Sequence, residues 1–140
     1  MPLQGEPVYD ARYPARRILS VIADTWTPIV LYCLRDRTRR FNELQRSIPD
    51  ISKKMLTQTL RKLEADKLVS RVVHPVVPPH VDYSLTRLGR KVAEAVSLLC
   101  EWATQNEETL KALPSPDRKS DAKRRTSSGA RSRSAPARSP

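Results

Sequence analysis

The chain is poor in the residues that catalytic sites commonly need. Its 140 residues include only three glycines, two cysteines and two histidines. Three scattered glycines cannot build a loop that cradles phosphates, and no Ser-His-Asp or Cys-His grouping stands out. The acidic residues are dispersed as well. We therefore predict that the protein is not an enzyme and carries no cofactor.

Long apolar runs are also missing. No stretch approaches the roughly 20 apolar residues that a bilayer-spanning helix needs. The N-terminal segment MPLQGEPVYDARYP has no apolar stretch with a basic flank, so we expect no signal peptide. Cys33 and Cys100 lie within apolar helical patterns, which suits a reducing interior better than a disulfide framework. The sequence therefore predicts a cytoplasmic protein with no membrane partner.

Positive charge, in contrast, is abundant, with a formal net charge of +11. Residues 114–140 contain eight Lys or Arg and two Asp, but no aromatic residue and no Leu, Ile or Val. Such a segment cannot bury enough apolar surface to offset the entropy of ordering. We predict a loose segment at residues 1–13, a folded domain at 14–113 and a disordered basic tail at 114–140. The charge favours a polyanionic partner.

Apolar periodicity predicts a mainly helical domain. The expected helices cover residues 14–23, a segment that begins at Trp26, residues 41–48, a segment that begins after Ser52, and residues 87–112. Asp24, Thr25, Ser52 and Thr86 are capping residue types at helix starts. The stretch from Arg35 to Arg40 is expected to be a charged connection.

A β-hairpin is predicted between the last two helices. Residues 68–74 are rich in valine, and residues 81–85 alternate between apolar and polar side chains, which is typical of a half-buried strand. The loop at residues 75–80 contains three prolines, which remove hydrogen-bond donors and stiffen the chain. We expect this loop to project from the domain rather than to pair.

The helix after Ser52 carries basic and amide side chains opposite an apolar face. Lysine can neutralise phosphates, glutamine can bond adenine at two atoms, and arginine can reach phosphate or guanine. The predicted DNA contacts are Ser52, Lys53, Lys54, Thr57, Gln58 and Arg61. The alternative is an ordinary solvated helix face.

The hairpin supplies a second set of predicted DNA contacts, to phosphates or the minor groove: Arg71, His74, Pro78 and His80. The alternative is a rigid surface loop. The two histidines and the two distant cysteines lack the spacing of a zinc site, so we expect no bound metal.

An apolar stripe along the last helix is longer than the core of a small domain requires. The excess is most simply buried against a second copy of the chain. The predicted homodimer contacts on this helix are Val92, Val96, Leu99 and Trp102. We interpret Cys33 as a packed core residue. Cys100 lies in this helix, so a thiol switch between subunits stays an alternative there.

The chain resembles the HxlR-type winged helix-turn-helix transcriptional regulators of bacteria and archaea, which are relatives of the MarR group. The resemblance covers about residues 14–105 and is carried by Trp26–Thr27, RRFNEL at 39–44, ISKKMLTQTLRKLEADKLV at 51–69 and the stretch from Pro75 to Gly89. It implies a mainly α fold with a small β-hairpin, in which the first and last helices form a homodimer. Ile18 is the contact that we expect from the first helix. The resemblance also implies that the fourth helix and the hairpin, or wing, read DNA.

One position departs from the family. Many members have a cysteine directly before the N-terminal proline, and several of them use it to sense electrophiles or oxidants. This chain has Tyr13 before Pro14, so that sensing route is absent.

Pattern and resemblance together predict a sequence-specific regulator that binds double-stranded DNA as a homodimer on an inverted repeat. Repression is the favoured direction, the expected location is the cytoplasm at the nucleoid, and the identity of any small-molecule effector stays open. The main alternative is a low-specificity architectural protein that binds DNA with its basic tail. A protein-interaction scaffold is a further alternative.

Overall fold

The computed structural model describes residues 9–114, and its elements follow the predicted order. The helices are α1 (Pro14–Val21), α2 (Trp26–Cys33), α3 (Phe41–Ser47), α4 (Lys53–Ala65), α5 (Arg87–Gln105) and α6 (Glu107–Leu110). The strands are β1 (Arg39–Arg40), β2 (Val69–His74) and β3 (His80–Leu85). Elements α1 to α5 belong to one compact unit, and α6 belongs to a second unit that begins at Asn106. Most of the predicted loose segment, and all of the predicted tail except Pro114, lies outside the described residues.

The sheet has one strand more than predicted. The antiparallel order is β1-β3-β2, and β1 lies within the stretch that was expected to be only a charged connection. Arg39 pairs with Tyr83, and Arg40 pairs with Asp82. A strand of two residues has no periodicity for a sequence pattern to detect.

The last helix is shorter than predicted. It ends at Gln105 rather than near residue 112, because Asn106 adopts φ −115° and ψ 28°, outside the helical region. Leu110 therefore lies in α6 and not in α5.

Asp24 caps the start of α2. Its carboxylate accepts hydrogen bonds from the backbone N–H groups of Trp26 (2.9 Å) and Thr27 (2.7 Å), and from the hydroxyl of Thr27 (2.7 Å). Lys62 of α4 donates to the same carboxylate at 3.1 Å and to the carbonyl of Val21 at 2.8 Å. These bonds fasten α4 to the chain between α1 and α2.

A single apolar core lies among α2, α3, α4, the sheet and α5. Its buried residues are Val30, Leu31, Leu34, Leu44, Ile48, Ile51, Leu56, Leu60, Leu63, Leu68, Val69, Leu85, Ala93 and Val96. The predicted apolar face of the fourth helix is confirmed except at Met55, which is 39% exposed. Among the described residues, no helix has an apolar stretch long enough to cross a membrane.

The end of α4 forms a tight corner. Leu68 N–H donates to the Leu63 carbonyl at 2.9 Å, and Lys67 N–H donates to the Glu64 carbonyl at 3.0 Å. This is the Schellman pattern, and it places Lys67 in the left-handed region at φ 58°. The chain leaves the corner directly into β2.

Helix α5 begins against the same corner. The Thr86 hydroxyl donates to the Lys67 carbonyl at 2.6 Å and accepts from Gly89 N–H at 3.0 Å, which confirms its predicted capping role. Gly89 is buried, and a Cβ added there would lie 1.9 Å from the Leu68 carbonyl oxygen. Only glycine allows this approach of helix to backbone.

Gly89→Ala is expected to destabilise the fold by about 2 kcal/mol or more, since the added methyl group meets backbone that cannot rotate away. Helix propensity alone would give the opposite sign, because alanine is favoured over glycine by about 1 kcal/mol in a helix interior. Urea unfolding measures the difference. Glu94 is an exposed position of α5, away from the Leu68 carbonyl. The difference in stability between Glu94→Gly and Glu94→Ala therefore measures helix propensity alone. Equal or greater stability of Gly89→Ala would contradict the packing argument.

Acid should weaken the Asp24 cap. Burial raises the pKa of Asp24, but the hydrogen bonds from Thr27 and the charge of Lys62 outweigh burial and hold it below its ordinary value of 3.8. The charged cap therefore contributes stability above that value, and the contribution is lost as the pH falls through the lowered pKa. We expect the wild-type chain to be more stable than Asp24→Asn at about pH 7, with the gap narrowing by about pH 3. A gap that stays constant in urea unfolding across this range would refute the assignment.

Candidate nucleic-acid interface

The exposed face of α4 lies opposite its core face. Lys53, Lys54, Gln58 and Arg61 are exposed, and Thr57 is half-buried. At 100° per residue these five positions span an arc of about 140°. The structure therefore brings the predicted contacts of this helix together on one solvent-facing surface, which we call the α4 face.

Two hydroxyl groups on this helix take part in local bonds. The Ser52 hydroxyl oxygen accepts from Met55 N–H at 3.0 Å, so Ser52 is the predicted N-cap. The Thr57 hydroxyl donates to the Lys53 carbonyl at 2.8 Å. These two residues shape the helix, and the longer side chains of the α4 face extend beyond them.

A basic cleft adjoins the start of α4. It has a volume of about 610 Å³ and is lined by Arg40, Asn42, Glu43, Gln45, Arg46 and Lys53. Its one acidic member, Glu43, is paired with Arg37 at 3.1 Å. The predicted contacts did not include Arg40 and Arg46, which the fold brings to the start of α4. The charged run that leads into α3 was a signal for Arg40, whereas Arg46 lies within α3 and only the fold brings it to the cleft.

Arg39 has a structural role instead. Its Nε donates to the Cys33 carbonyl at 2.7 Å, and its side chain is only 16% exposed. It also lies 3.5 Å from Asp36. Arg39 thus satisfies a carbonyl at the end of α2 and is not part of the open surface.

A second cleft joins α4 to the sheet. Its volume is about 350 Å³, and its lining includes Thr57 and Arg61 of α4 with Arg71 and Tyr83 of the sheet. The predicted wing residue Arg71 is exposed and lies in the middle of β2 rather than at the loop. The fold therefore brings Arg61 and Arg71 to one cleft, although they are ten positions apart in the sequence.

The wing tip itself is apolar. Val77 is 99% exposed, Val76 is 53% exposed, and Pro78 is exposed beside them. The two histidines lie at the base of this loop, where the His74 side chain is 40% exposed and 2.8 Å from Asp82. Positive charge on the wing is thus concentrated at Arg71, away from the tip.

The predicted dimer residues fall into two groups. Leu99 is 61% exposed and Trp102 is 51% exposed, whereas Ile18 and Val92 are partly buried. Val96 is a correction, because it is only 3% exposed and packs in the core of its own chain. Three further exposed apolar side chains on α1 and α5 were not among the predicted dimer contacts: Leu19, Leu88 and Leu98. Of these, Leu88 belongs to the apolar stripe that the sequence pattern predicted.

The two cysteines lie in the helical core region. Burial raises the pKa of Cys33 and of Cys100, and this effect exceeds the opposing influence of nearby arginines. Both side chains are therefore mainly neutral thiols near pH 7, and a thiol is less reactive than a thiolate. This supports the reading of Cys33 as a packed residue and gives no support to a thiol switch at Cys100.

Known proteins share this arrangement. The sequence model for the HxlR-like helix-turn-helix matches residues 21–111. The HTH-type transcriptional regulator YtfH of Escherichia coli is 45% identical over 93 residues, which cover 66% of this chain and 74% of that protein. Its function is uncharacterised beyond that description.

Solved structures agree with the fold. A transcriptional regulator of the MarR family from Porphyromonas gingivalis superposes with a TM-score of 0.68 at 35% identity, covering 71% of this chain and 98% of that one. The redox regulator HypR in its reduced form gives a TM-score of 0.66 at 42% identity, with the same coverage. The predicted winged helix-turn-helix architecture is confirmed by these matches. The chain therefore belongs to the HxlR-like helix-turn-helix family and is a DNA-binding regulator of transcription.

Proposed function

We propose that the protein is a homodimeric repressor that reads an inverted-repeat operator with the α4 face. The observation that carries the proposal is the position of Lys54, Gln58 and Arg61, which project opposite the core between two clefts that contain arginine. A recognition helix presents its N-terminal residues to base edges in the major groove, and the cap at Ser52 leaves that end of α4 accessible. Ser52 at the helix start and Thr57 within the α4 face complete the proposed contact surface.

Different residues have different tasks in this proposal. Gln58 reads adenine, because its amide offers one donor and one acceptor to the base edge. Lys53 shares the basic cleft with Arg40 and Arg46, so these three side chains neutralise backbone phosphates. Phosphate contacts fix the register of the protein on the duplex, and the base contact selects the sequence.

The wing extends the contact along the duplex. Arg71 shares a cleft with Arg61 and therefore meets the phosphates next to the major groove occupied by α4. His74, Pro78 and His80 lie further out and contact the backbone or the minor-groove edge. The exposed Val77 at the tip suits apolar contact with sugar or base edges.

A homodimer would hold two α4 faces, each with its wing, at a fixed spacing. The exposed apolar side chains Leu88, Leu99 and Trp102 recur at intervals of 11 and 3 residues, so they share one face of α5. Ile18 and Leu19 of α1 and the partly buried Val92 extend this apolar face. In the proposed homodimer, the extended face packs against the same face of a second copy. The two α4 helices would then lie about 34 Å apart, one turn of duplex DNA.

Repression follows from occupancy in this proposal. A dimer across two successive major grooves covers DNA that the transcription machinery needs, and the site of action is the nucleoid in the cytoplasm. A low-specificity architectural role is the second candidate. It is favoured by the eight Lys or Arg of residues 114–140, which lie outside the described part of the chain.

Variants of α4 test the proposed division of roles. Gln58→Ala is expected to relax base preference by about 1–3 kcal/mol. Lys53→Ala should weaken binding to every duplex and reduce the log–log salt slope by about 0.9. Mobility shifts with the upstream region of the protein's own gene and with random DNA, at about 0.1–0.2 M salt, measure both effects.

Two controls make this experiment decisive. Lys91→Ala removes the same charge from the exposed surface of α5 and should leave the affinity nearly unchanged. Deletion of residues 114–140 should preserve site selection if the regulator proposal holds. Loss of all binding on deletion would favour the architectural role, and equal effects of Gln58→Ala and Lys53→Ala on random DNA would refute the division of roles.

Leu99→Glu tests the dimer. A buried carboxylate without a partner is strongly unfavourable in an apolar interface, so this variant is expected to elute with the mass of one chain while the wild type has the mass of two. Light scattering after gel filtration gives the mass directly. Arg90→Glu, also exposed on α5, reverses a charge outside the apolar face and should remain dimeric. A monomeric wild type, or a dimeric Leu99→Glu, would overturn this part of the proposal.

A further inference from the structure

The two histidines of the chain lie side by side on the wing, together with a carboxylate. The rings of His74 and His80 are stacked, with centroids 4.5 Å apart and planes inclined by 21°. The Nε2 atom of His74 lies 2.8 Å from Oδ2 of Asp82. One nitrogen or oxygen atom from each of the three side chains lies within 4.8 Å of those from the other two.

Backbone pairing produces this cluster. His74 and His80 are directly opposite each other at the loop end of the β2–β3 ladder, so their side chains share one face of the sheet. Asp82 is two residues after His80 and therefore points to the same face. Five further residue pairs, from Val73 with Val81 to Val69 with Leu85, fix this register.

We propose that His74, His80 and Asp82 form a binding site for a divalent first-row transition metal ion, with Zn²⁺ as the expected occupant. Two imidazoles and one carboxylate are a donor set that zinc accepts, with a water molecule in the fourth position. A hard ion such as Mg²⁺ prefers oxygen ligands and is disfavoured by two nitrogen donors.

The distances fit with small adjustments. Two ligand atoms that each lie about 2.1 Å from a tetrahedral ion are about 3.4 Å apart. The His74–Asp82 pair at 2.8 Å needs to open slightly, and the other pairs, at up to 4.8 Å, need to close. The His74 side chain is 40% exposed and the Asp82 side chain 27% exposed, so both can rotate and an ion can reach them from solvent.

One cation of the protein competes for the carboxylate. Arg40 Nε lies 3.8 Å from Oδ1 of Asp82, a distance too long for a direct hydrogen bond. That contact involves the oxygen that does not face His74. Arg40 therefore leaves Oδ2 available for an ion between the carboxylate and the imidazole.

Spacing in the sequence did not predict this site, because the histidines and the cysteines lack the spacing of a zinc site and only strand register places Asp82 beside the histidines. The cysteines are the rival zinc ligands in the chain. Among the described residues, neither cysteine belongs to a group of three potential ligands, whereas His74, His80 and Asp82 do. Burial also raises the pKa of both thiols, which disfavours the thiolate that zinc binds.

A zinc ion on the wing would alter its charge beside the duplex. The open fourth position could take a phosphate oxygen, and this consequence rests on the proposed function. The metal site itself does not, because zinc binding can be measured without DNA. Failure of DNA binding would therefore leave the zinc result standing, and the reverse also holds.

Zinc titration of the metal-free, full-length protein is the test. Calorimetry is expected to give about one Zn²⁺ per chain at micromolar concentrations. Proton NMR should show both imidazole C2–H signals shifting together in the unmodified chain, and since the chain has only two histidines both signals belong to this site. His74→Gln, His80→Gln and Asp82→Asn should each weaken binding by about tenfold or more.

Matched controls separate this site from other zinc ligands. Asp50→Asn removes an exposed carboxylate elsewhere, and a Cys33→Ser, Cys100→Ser double variant removes both thiols; neither should change the affinity. The proposal is overturned if micromolar zinc does not bind or if the imidazole signals stay in place. It is equally overturned if the cysteine variant, rather than His80→Gln, abolishes binding.

Discussion

The architecture depends on the approach of Gly89 to the Leu68 carbonyl. At this point the end of α4, the start of β2 and the first turn of α5 meet, joined by the hydroxyl of Thr86. A helix that begins so close to another chain segment has little freedom to tilt. This contact therefore constrains the direction of α5 relative to α4, together with the packing of Ala93 and Val96 in the core. It also constrains the orientation of any second copy that packs on α5.

The same geometry explains why the α4 face is polar and open. Leu56, Leu60 and Leu63 are fully or almost fully buried, so the residues on the opposite side of the helix must face solvent. Lys62 fixes the other flank of α4 through Asp24 and the Val21 carbonyl. The α4 face is thus held from behind by apolar packing and from the side by the partly exposed Asp24–Lys62 contact. Its long side chains, Lys53, Lys54, Gln58 and Arg61, are exposed to solvent.

Much of the fold could be predicted, because α4, α5 and the two long strands have clear periods and capping residues. The strand at Arg39–Arg40 could not, since two residues show no period and pair only with Asp82 and Tyr83 far along the chain. The sequence also could not show which residues of the apolar stripe are buried in their own chain. Val96 and Leu99 are both apolar residues of α5, but the packing of α5 on the core buries Val96 and leaves Leu99 exposed. The grouping of Asp82 with the two histidines depends on strand register, which the sequence leaves open.

The wing also bears on the solubility of the protein. Strand β2 is an edge of the three-stranded sheet, and its neighbouring sequence VVHPVV is rich in residues that favour intermolecular strands. Val72 and Val73 are about half exposed on that edge. Arg71 places a charge on one side of these valines, and the prolines of the loop lie on the other side. Both features oppose backbone pairing between β2 strands of two molecules. The proline loop therefore protects a concentrated protein from edge-to-edge aggregation, independently of any contact with DNA.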